Sequence, residues 1–340
     1  MKFSTVQKAF IALIIANIIW GAAAPIFKLS LQNIPPFTLA FWRFFLGSLL
    51  LLVIFRQKLR INIASRRDFF LLLGYALCGI TGNIIFYFLG LRLTFAMNAP
   101  VIGSAQPIIT LILALVFLRE KFAWKKFIGM ILGSMGVLVI IFEPLLEKGV
   151  YGSILGNVFL TLAMLLAVAQ TIFGKSALDR YSPLAFTFWA FIIGAASFTP
   201  LAFYEYFKIP QLYQTLDWRG FAGIGFGAVF SSAAAYTLYA WGLSKITASD
   251  TSVFSYIDPV VGTVLAFFLL KEPITPPFVV GSFLIFGGIF LAEGRLHYHP
   301  IRRLIMWEKP IRYDKPEALP TSDDDKPPNR KRILTSIFQK

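Results

Sequence analysis

The stretch Gln106-Pro107 … Leu118-Arg119-Glu120 … Gly129 … Gly136 occurs a second time as Asp258-Pro259 … Leu270-Lys271-Glu272 … Gly281 … Gly288, displaced by a constant 152 residues. The same displacement carries Tyr87, Gly90-Leu91 and Ala96 onto Tyr239, Gly242-Leu243 and Ala248. Further upstream, Pro36 … Phe41-Trp42 … Gly47 returns as Pro183 … Phe188-Trp189 … Gly194, displaced by 147. Both copies sit in strongly apolar sequence, so a membrane-embedded unit is present twice. A duplicated membrane unit is a common build of secondary transporters, with the binding site between the halves.

Composition supports the bilayer as solvent. Hydrophobic residues make up 57% of the chain and charged residues 14%, with mean hydropathy +0.71; soluble domains are nearer half apolar and a quarter charged. The single cysteine, Cys78, excludes an intramolecular disulfide and a multi-cysteine metal site. The only histidines, His297 and His299, follow the last apolar segment, which argues against an intramembrane histidine base or metal ligand. No cofactor is expected. The net charge of +15 resides in short loops and the C-terminal tail, the distribution of a membrane protein and not of a nucleic-acid binder. The start, Lys2 and Lys8 followed by an apolar run, resembles a signal peptide, but no Ala-x-Ala-like exit follows, so it reads as a retained first span.

A span needs about 20 mostly apolar residues. Ten such segments are expected, at 8–27, 35–55, 68–89, 96–118, 124–142, 151–173, 183–203, 219–241, 249–270 and 276–293. With the N-terminus inside, inner segments hold fourteen Lys and Arg before the tail and outer segments six. The positive-inside rule then places both termini in the cytoplasm of a multi-pass cell (inner) membrane protein. Five spans per copy is odd, so the copies insert in opposite orientations, as an inverted repeat. The expected architecture is an all-α membrane protein: a first five-helix repeat at 1–145, a second at 146–295, and a basic, partly disordered cytoplasmic tail at 296–340.

These features together resemble the EamA family of the drug/metabolite transporter superfamily. The residues that carry the resemblance are Trp20-Gly21 with Lys28, Pro36 … Arg43, Tyr87 … Ala96, Pro107, and Glu120 before a glycine-marked helix. It covers about residues 1–293 in both copies, and it implies ten helices in two inverted halves with export or exchange of small metabolites, amino acids among them, or of drugs. It names no substrate. Ala190 stands where the first copy has Arg43, and Ala167-Val168 where it has Trp20-Gly21, so the halves should contribute unequally to the site.

Charges at membrane depth default to functional candidates. Arg43 and Asp258 stand out, and Asp258, beside the helix-breaking Pro259, is also the candidate for ion coupling. The competing structural reading pairs Arg43 with Asp258 as a buried ion pair. Gln106 is the symmetry mate of Asp258. The aromatic set Trp20, Tyr87, Trp189, Tyr236, Tyr239 and Tyr256 lies within spans and suits a cavity for a partly apolar ligand. Asn83 and Gln170 add uncharged polar groups, as do Asn17 and Asn157, any of which also serves to bridge helices. The glycines of spans five and ten suggest close packing of those spans or a homodimer face. Glu120 and Glu272 are expected at the interface.

The expected partners are a small-molecule substrate, the lipid bilayer and a possible homodimer mate, with no nucleic acid. No Walker-type phosphate loop is present, so the chain alone cannot use ATP. Other readings are a channel or scramblase-like pore, or a membrane-embedded lipid enzyme. The enzyme lacks a histidine or a carboxylate cluster within the spans to serve as its acid and base.

Overall fold

The computed structural model describes residues 4–106, 109, 124–146, 153–209, 211–246, 251 and 253–293. The expectations for Pro107, Arg119-Glu120, Lys148 in an outer loop, Asp250 as a helix N-cap, most of span 96–118 and the tail at 296–340 with His297 and His299 lie outside these residues.

Among the described residues the regular elements are helices: α1 Thr5–Ser30, α2 Pro36–Phe55, α3 Arg66–Leu93, α4 Asn98–Gly103, α5 Trp124–Ile141, α6 Glu143–Leu146, α7 Ile154–Leu178, α8 Pro183–Lys208, α9 Trp218–Leu243, α10 Ile257–Leu270 and α11 Pro276–Glu293. Their starts follow from local chemistry. Ser4 and Gln7 form a reciprocal cap at the head of α1, each side chain accepting from the other's backbone N–H at 3.2 and 2.9 Å. Ser65, Ser153 and Asp217 cap α3, α7 and α9. Pro36 and Pro183 open α2 and α8 at the first helical position, where a missing N–H costs nothing.

Six helices of 23 to 28 residues, with mean hydropathy 1.4 to 2.2, are long and apolar enough to cross a membrane: α1, α2 with its short extension to Lys58, α3, α7, α8 and α9. Three shorter apolar stretches lie within α5, at Phe254–Leu270 and within α11. The outer surface carries large apolar side chains, with Val53, Phe207 and Phe283 each about three-quarters exposed (74%, 75% and 75%). A water-soluble surface seldom does this, whereas lipid accepts it.

The helices pair closely. α2 lies along α8, α3 along α7, α1 against α9 and α10, and α5 along α11. Backbone approach sets the last pair: a Cβ added to Gly136 would sit 2.6 Å from the Gly281 carbonyl, and one on Gly288 would sit 2.5 Å from that of Gly129. The glycines expected to pack spans five and ten therefore do so within one molecule.

Three features differ from the sequence expectation. Spans four and nine are not continuous α-helices. α4 ends at Gly103 in a turn at Ser104–Ala105, and α10 begins only at Ile257, after a 3-10 turn at Val253–Tyr256. Pro259 accordingly stands in the first turn of α10, where its missing N–H has no intrahelical partner to lose. The third difference is that α3 and α9 each contain a π-helical stretch, at Leu77–Gly82 and Gly227–Ala234, in corresponding places of the two sequence copies. Such wide turns cluster at functional sites.

Candidate functional site

A cavity of about 150 Å³ lies among α1, α2, α3, α7, α9 and α10. Nine of the eleven side chains singled out from sequence line it. Trp20 comes from α1, Arg43 from α2, Asn83 and Tyr87 from α3, and Gln106 from just beyond the turn that follows α4. Gln170 comes from α7, Tyr236 and Tyr239 from α9, and Asp258 from α10.

The π stretch of α9 builds one side. A π turn shifts carbonyls and side chains out of α-helical register. Here it offers the Ser231 carbonyl to the Trp20 indole N–H at 3.1 Å. It also presents the hydroxyls of Ser231 and Ser232 to Arg43, which donates from Nη2 at 3.0 Å and Nε at 2.8 Å. Arg43 is 2% exposed, and its guanidinium carbon lies 4.9, 4.8 and 5.9 Å from the ring centres of Phe27, Phe44 and Tyr236. Aromatic faces and hydroxyls together replace the water that the cation gave up. Its third nitrogen, Nη1, has no protein partner.

Trp20 joins this side to the next. Its ring centre lies 5.1 Å from those of Tyr236 and of Tyr239. The Tyr236 hydroxyl donates to the Gly79 carbonyl at 3.3 Å, within the π stretch of α3, and the Tyr239 hydroxyl bonds Thr171 Oγ1 at 2.9 Å. Asn83 donates to the Ala163 carbonyl at 2.7 Å and Asn17 to the Leu13 carbonyl at 2.7 Å, so both amides are tied to helix backbone.

Asp258 stands on the facing element. Its backbone packs on α1 because Gly21 has no side chain: a Cβ there would meet the Asp258 carbonyl at 2.9 Å. Its Oδ1 is buried without a partner. The Arg43–Asp258 ion pair of the competing structural reading is not formed, since the two groups are not within the 4.0 Å of an ion pair. Serine hydroxyls and aromatic rings hold Arg43 instead.

Two of the eleven residues lie elsewhere. Trp189 is 39% exposed and donates its indole N–H to the Leu59 carbonyl at 3.0 Å, at the edge of the helix array. Its sequence counterpart Trp42 does likewise, donating to the Tyr213 hydroxyl at 3.1 Å. That match with Trp42 is the signal that identifies an anchor. Tyr256 belongs to the 3-10 turn before α10 and is not among the residues lining the cavity. Sequence reasoning missed Ser231, Ser232 and Thr171, because hydroxyls within apolar helices carry no periodic signal of their own.

Glu272 is turned into the protein. The left-handed backbone of Lys271 (φ 56°, ψ 31°) ends α10 and turns Glu272 inward. There, 5% exposed, it accepts from the N–H groups of Ala96 and Met97 at 2.8 and 3.0 Å and from Lys28 Nζ at 3.0 Å. A second buried carboxylate, Glu143, was not foreseen either; it accepts from Asn98 Nδ2 at 3.0 Å, and Asn98 also donates to Asn157 Oδ1 at 3.1 Å.

The lining is thus one carboxylate, one guanidinium, three amides beside Asn17, the hydroxyls of Thr171, Ser231, Thr251 and Ser255, and phenol and indole rings on apolar walls. Such a lining suits a small amphipathic ligand held among apolar helices. The model of the EamA-like transporter family matches residues 7–142 and again 154–293, and the chain belongs to that family. An uncharacterized transporter of Archaeoglobus fulgidus is 31% identical over 287 residues, 84% of this chain and 98% of the relative. The Escherichia coli protein named "Probable amino-acid metabolite efflux pump" is 25% identical over 295 residues, 84% of this chain and 94% of the relative. A solved crystal structure with 16% identity superposes with a TM-score of 0.59 over 84% of this chain and 96% of that one, which bears on the fold alone.

Proposed function

We propose that the chain is a secondary transporter that exports or exchanges small metabolites such as amino acids, or amphipathic drugs, by alternating access. The observation that carries this reading is the composition of the cavity. Its walls come from both family-matched segments, with Arg43 from the first and Asp258 from the second, so neither segment makes the site alone.

The proposed architecture is ten spans in two inverted five-helix repeats, 1–145 and 146–295, with both termini cytoplasmic and the tail at 296–340 beyond. Several pairings support it. α1 meets α9 as α7 meets α3, and the π stretches fall at matching places. Lys28 and Lys175, matching residues near the ends of α1 and α7, reach the carbonyls of Thr94 and Leu243 at the ends of α3 and α9. Two such halves can rock about a shared cavity. The Escherichia coli relative's printed name supports amino-acid metabolites as cargo. Asp258 is the proposed coupling carboxylate.

The test is flux in proteoliposomes against a panel of amino acids and cationic dyes, with and without a pH gradient. Saturable uptake that accelerates with substrate on the opposite side is expected. Linear flux without such acceleration indicates a pore.

A further inference from the structure

We infer that the cavity recognises a ligand carrying a positive and a negative group at once, with Asp258 holding the cationic pole and Arg43, helped by Gln170, the anionic pole. The inference rests on the transport reading and names the charge pattern of its cargo.

Three observations lead to it. Arg43 and Asp258 are the only charged side chains among the described residues that line the cavity. They are not paired with each other, as an apolar cavity would ordinarily require. And each keeps one buried polar atom without a protein partner, Nη1 on Arg43 and Oδ1 on Asp258. Gln170 Nε2, also from a lining residue, is a third such atom.

A buried donor or acceptor without a partner is costly and rare, so a native one asks for an explanation. The signs decide which. Nη1 and Nε2 are donors and call for an acceptor, best an anion; Oδ1 is an acceptor and calls for a donor, best a cation. The donors also lie near each other: Gln170 packs on Gly79, whose carbonyl receives the Tyr236 hydroxyl, and the Tyr236 ring lies over Arg43. Asp258 and Tyr87 line the same cavity as these donors. A lone cation satisfies Asp258 and leaves Arg43 wanting; a lone anion does the reverse. A zwitterion satisfies both, with its apolar part against Trp20 and the tyrosines.

The test uses the full chain in proteoliposomes and matched triples of compounds: leucine, methionine and phenylalanine, each with the amine that lacks its carboxylate and the acid that lacks its amine. Wild type is expected to favour each amino acid over both single-charge analogues by about tenfold, the worth of one charge-assisted contact. In exchange without a pH gradient, where coupling does not enter, Asp258→Asn should weaken the amino acid and the amine and spare the acid. Arg43→Gln should weaken the amino acid and the acid and spare the amine. Because Arg43 is packed among rings and serines, Arg43→Lys, which keeps the charge, is run beside it and should retain more of the acid's affinity. The wild-type ranking needs no variant. Single-charge compounds that outcompete the amino acids, or variants that weaken all three compounds alike, overturn the two-pole assignment and leave the transport reading standing. If cationic dyes move and no zwitterion does, the assignment is likewise wrong. If nothing in either panel moves, both readings fall.

Discussion

The indole N–H of Trp20 donates to the backbone carbonyl of Ser231 across 3.1 Å, and the hydroxyl of that same serine accepts from Arg43. One residue of a π turn thus fixes an aromatic wall of the cavity and its only described cation together. Trp20→Phe keeps most of the ring and leaves the carbonyl without its donor. We expect a loss of about 1 kcal/mol of stability, read by thermal unfolding in detergent, and a larger fall in transport because Arg43 loses its fixed frame. Unchanged flux would remove Trp20 from the site.

Asp258 and Arg43 form no ion pair, so removing one leaves no salt-bridged partner behind. A double-mutant cycle of Asp258→Asn and Arg43→Gln is expected to add within about 0.5 kcal/mol in stability. Had the two been a buried pair, losing one partner would cost about 3–5 kcal/mol and the second change would restore much of it. Rescue of Asp258→Asn by Arg43→Gln in unfolding measurements would bring the pair back.

Tyr87→Ala and Tyr239→Ala should each lower transport by about tenfold, the effect of about 1.4 kcal/mol of binding, without a matching fall in expression. Tyr239→Phe keeps the ring, loses the hydroxyl that bonds Thr171, and should be milder. Purified variants that work at the wild-type rate would make these rings packing groups.

Glu272 is held by two backbone N–H groups and Lys28. Glu272→Ala leaves those donors buried and is expected to destabilise the fold by about 3 kcal/mol; Lys28→Met should cost less, since Lys28 retains 24% exposure. Equal unfolding temperatures for Glu272→Ala and wild type would contradict this.

Orientation is tested by labelling. A cysteine at Lys148 should react with an impermeant maleimide in intact cells, and one at Arg60 should not, in a background where Cys78 is replaced. The reverse pattern rejects the proposed topology.

The helix positions were legible because apolar length is a local property; the caps at Ser4, Ser65, Ser153 and Asp217 were seen only in the structure. Most of the cavity was legible too, since polar and aromatic residues within apolar spans are few. What hydropathy does not encode is rotation about the helix axis. Trp20 and Trp189 look alike in sequence, yet one faces the cavity and the other bonds a loop carbonyl. The breaks before Gln106 and Asp258 were read as kinks in continuous spans, because a proline near a helix start and one in its middle are the same letter. The π stretches were invisible, since Leu77–Gly82 and Gly227–Ala234 are as apolar and glycine-rich as their surroundings.

Those two stretches also bear on how the chain tolerates insertion and deletion. A π turn accommodates one surplus residue, and each residue of a helix turns the face beyond it by about 100°. Removing a single residue between 227 and 234 would let α9 close into an ordinary helix, with no loss of length or hydropathy that matters to the membrane. It would also take away what the wide turn presents, the Ser231 carbonyl that Trp20 uses and the Ser231 and Ser232 hydroxyls that Arg43 uses. The helix would keep its length and its outer face while Trp20 and Arg43 lost their frame, so the count of residues in this segment is under as strict a constraint as their identity.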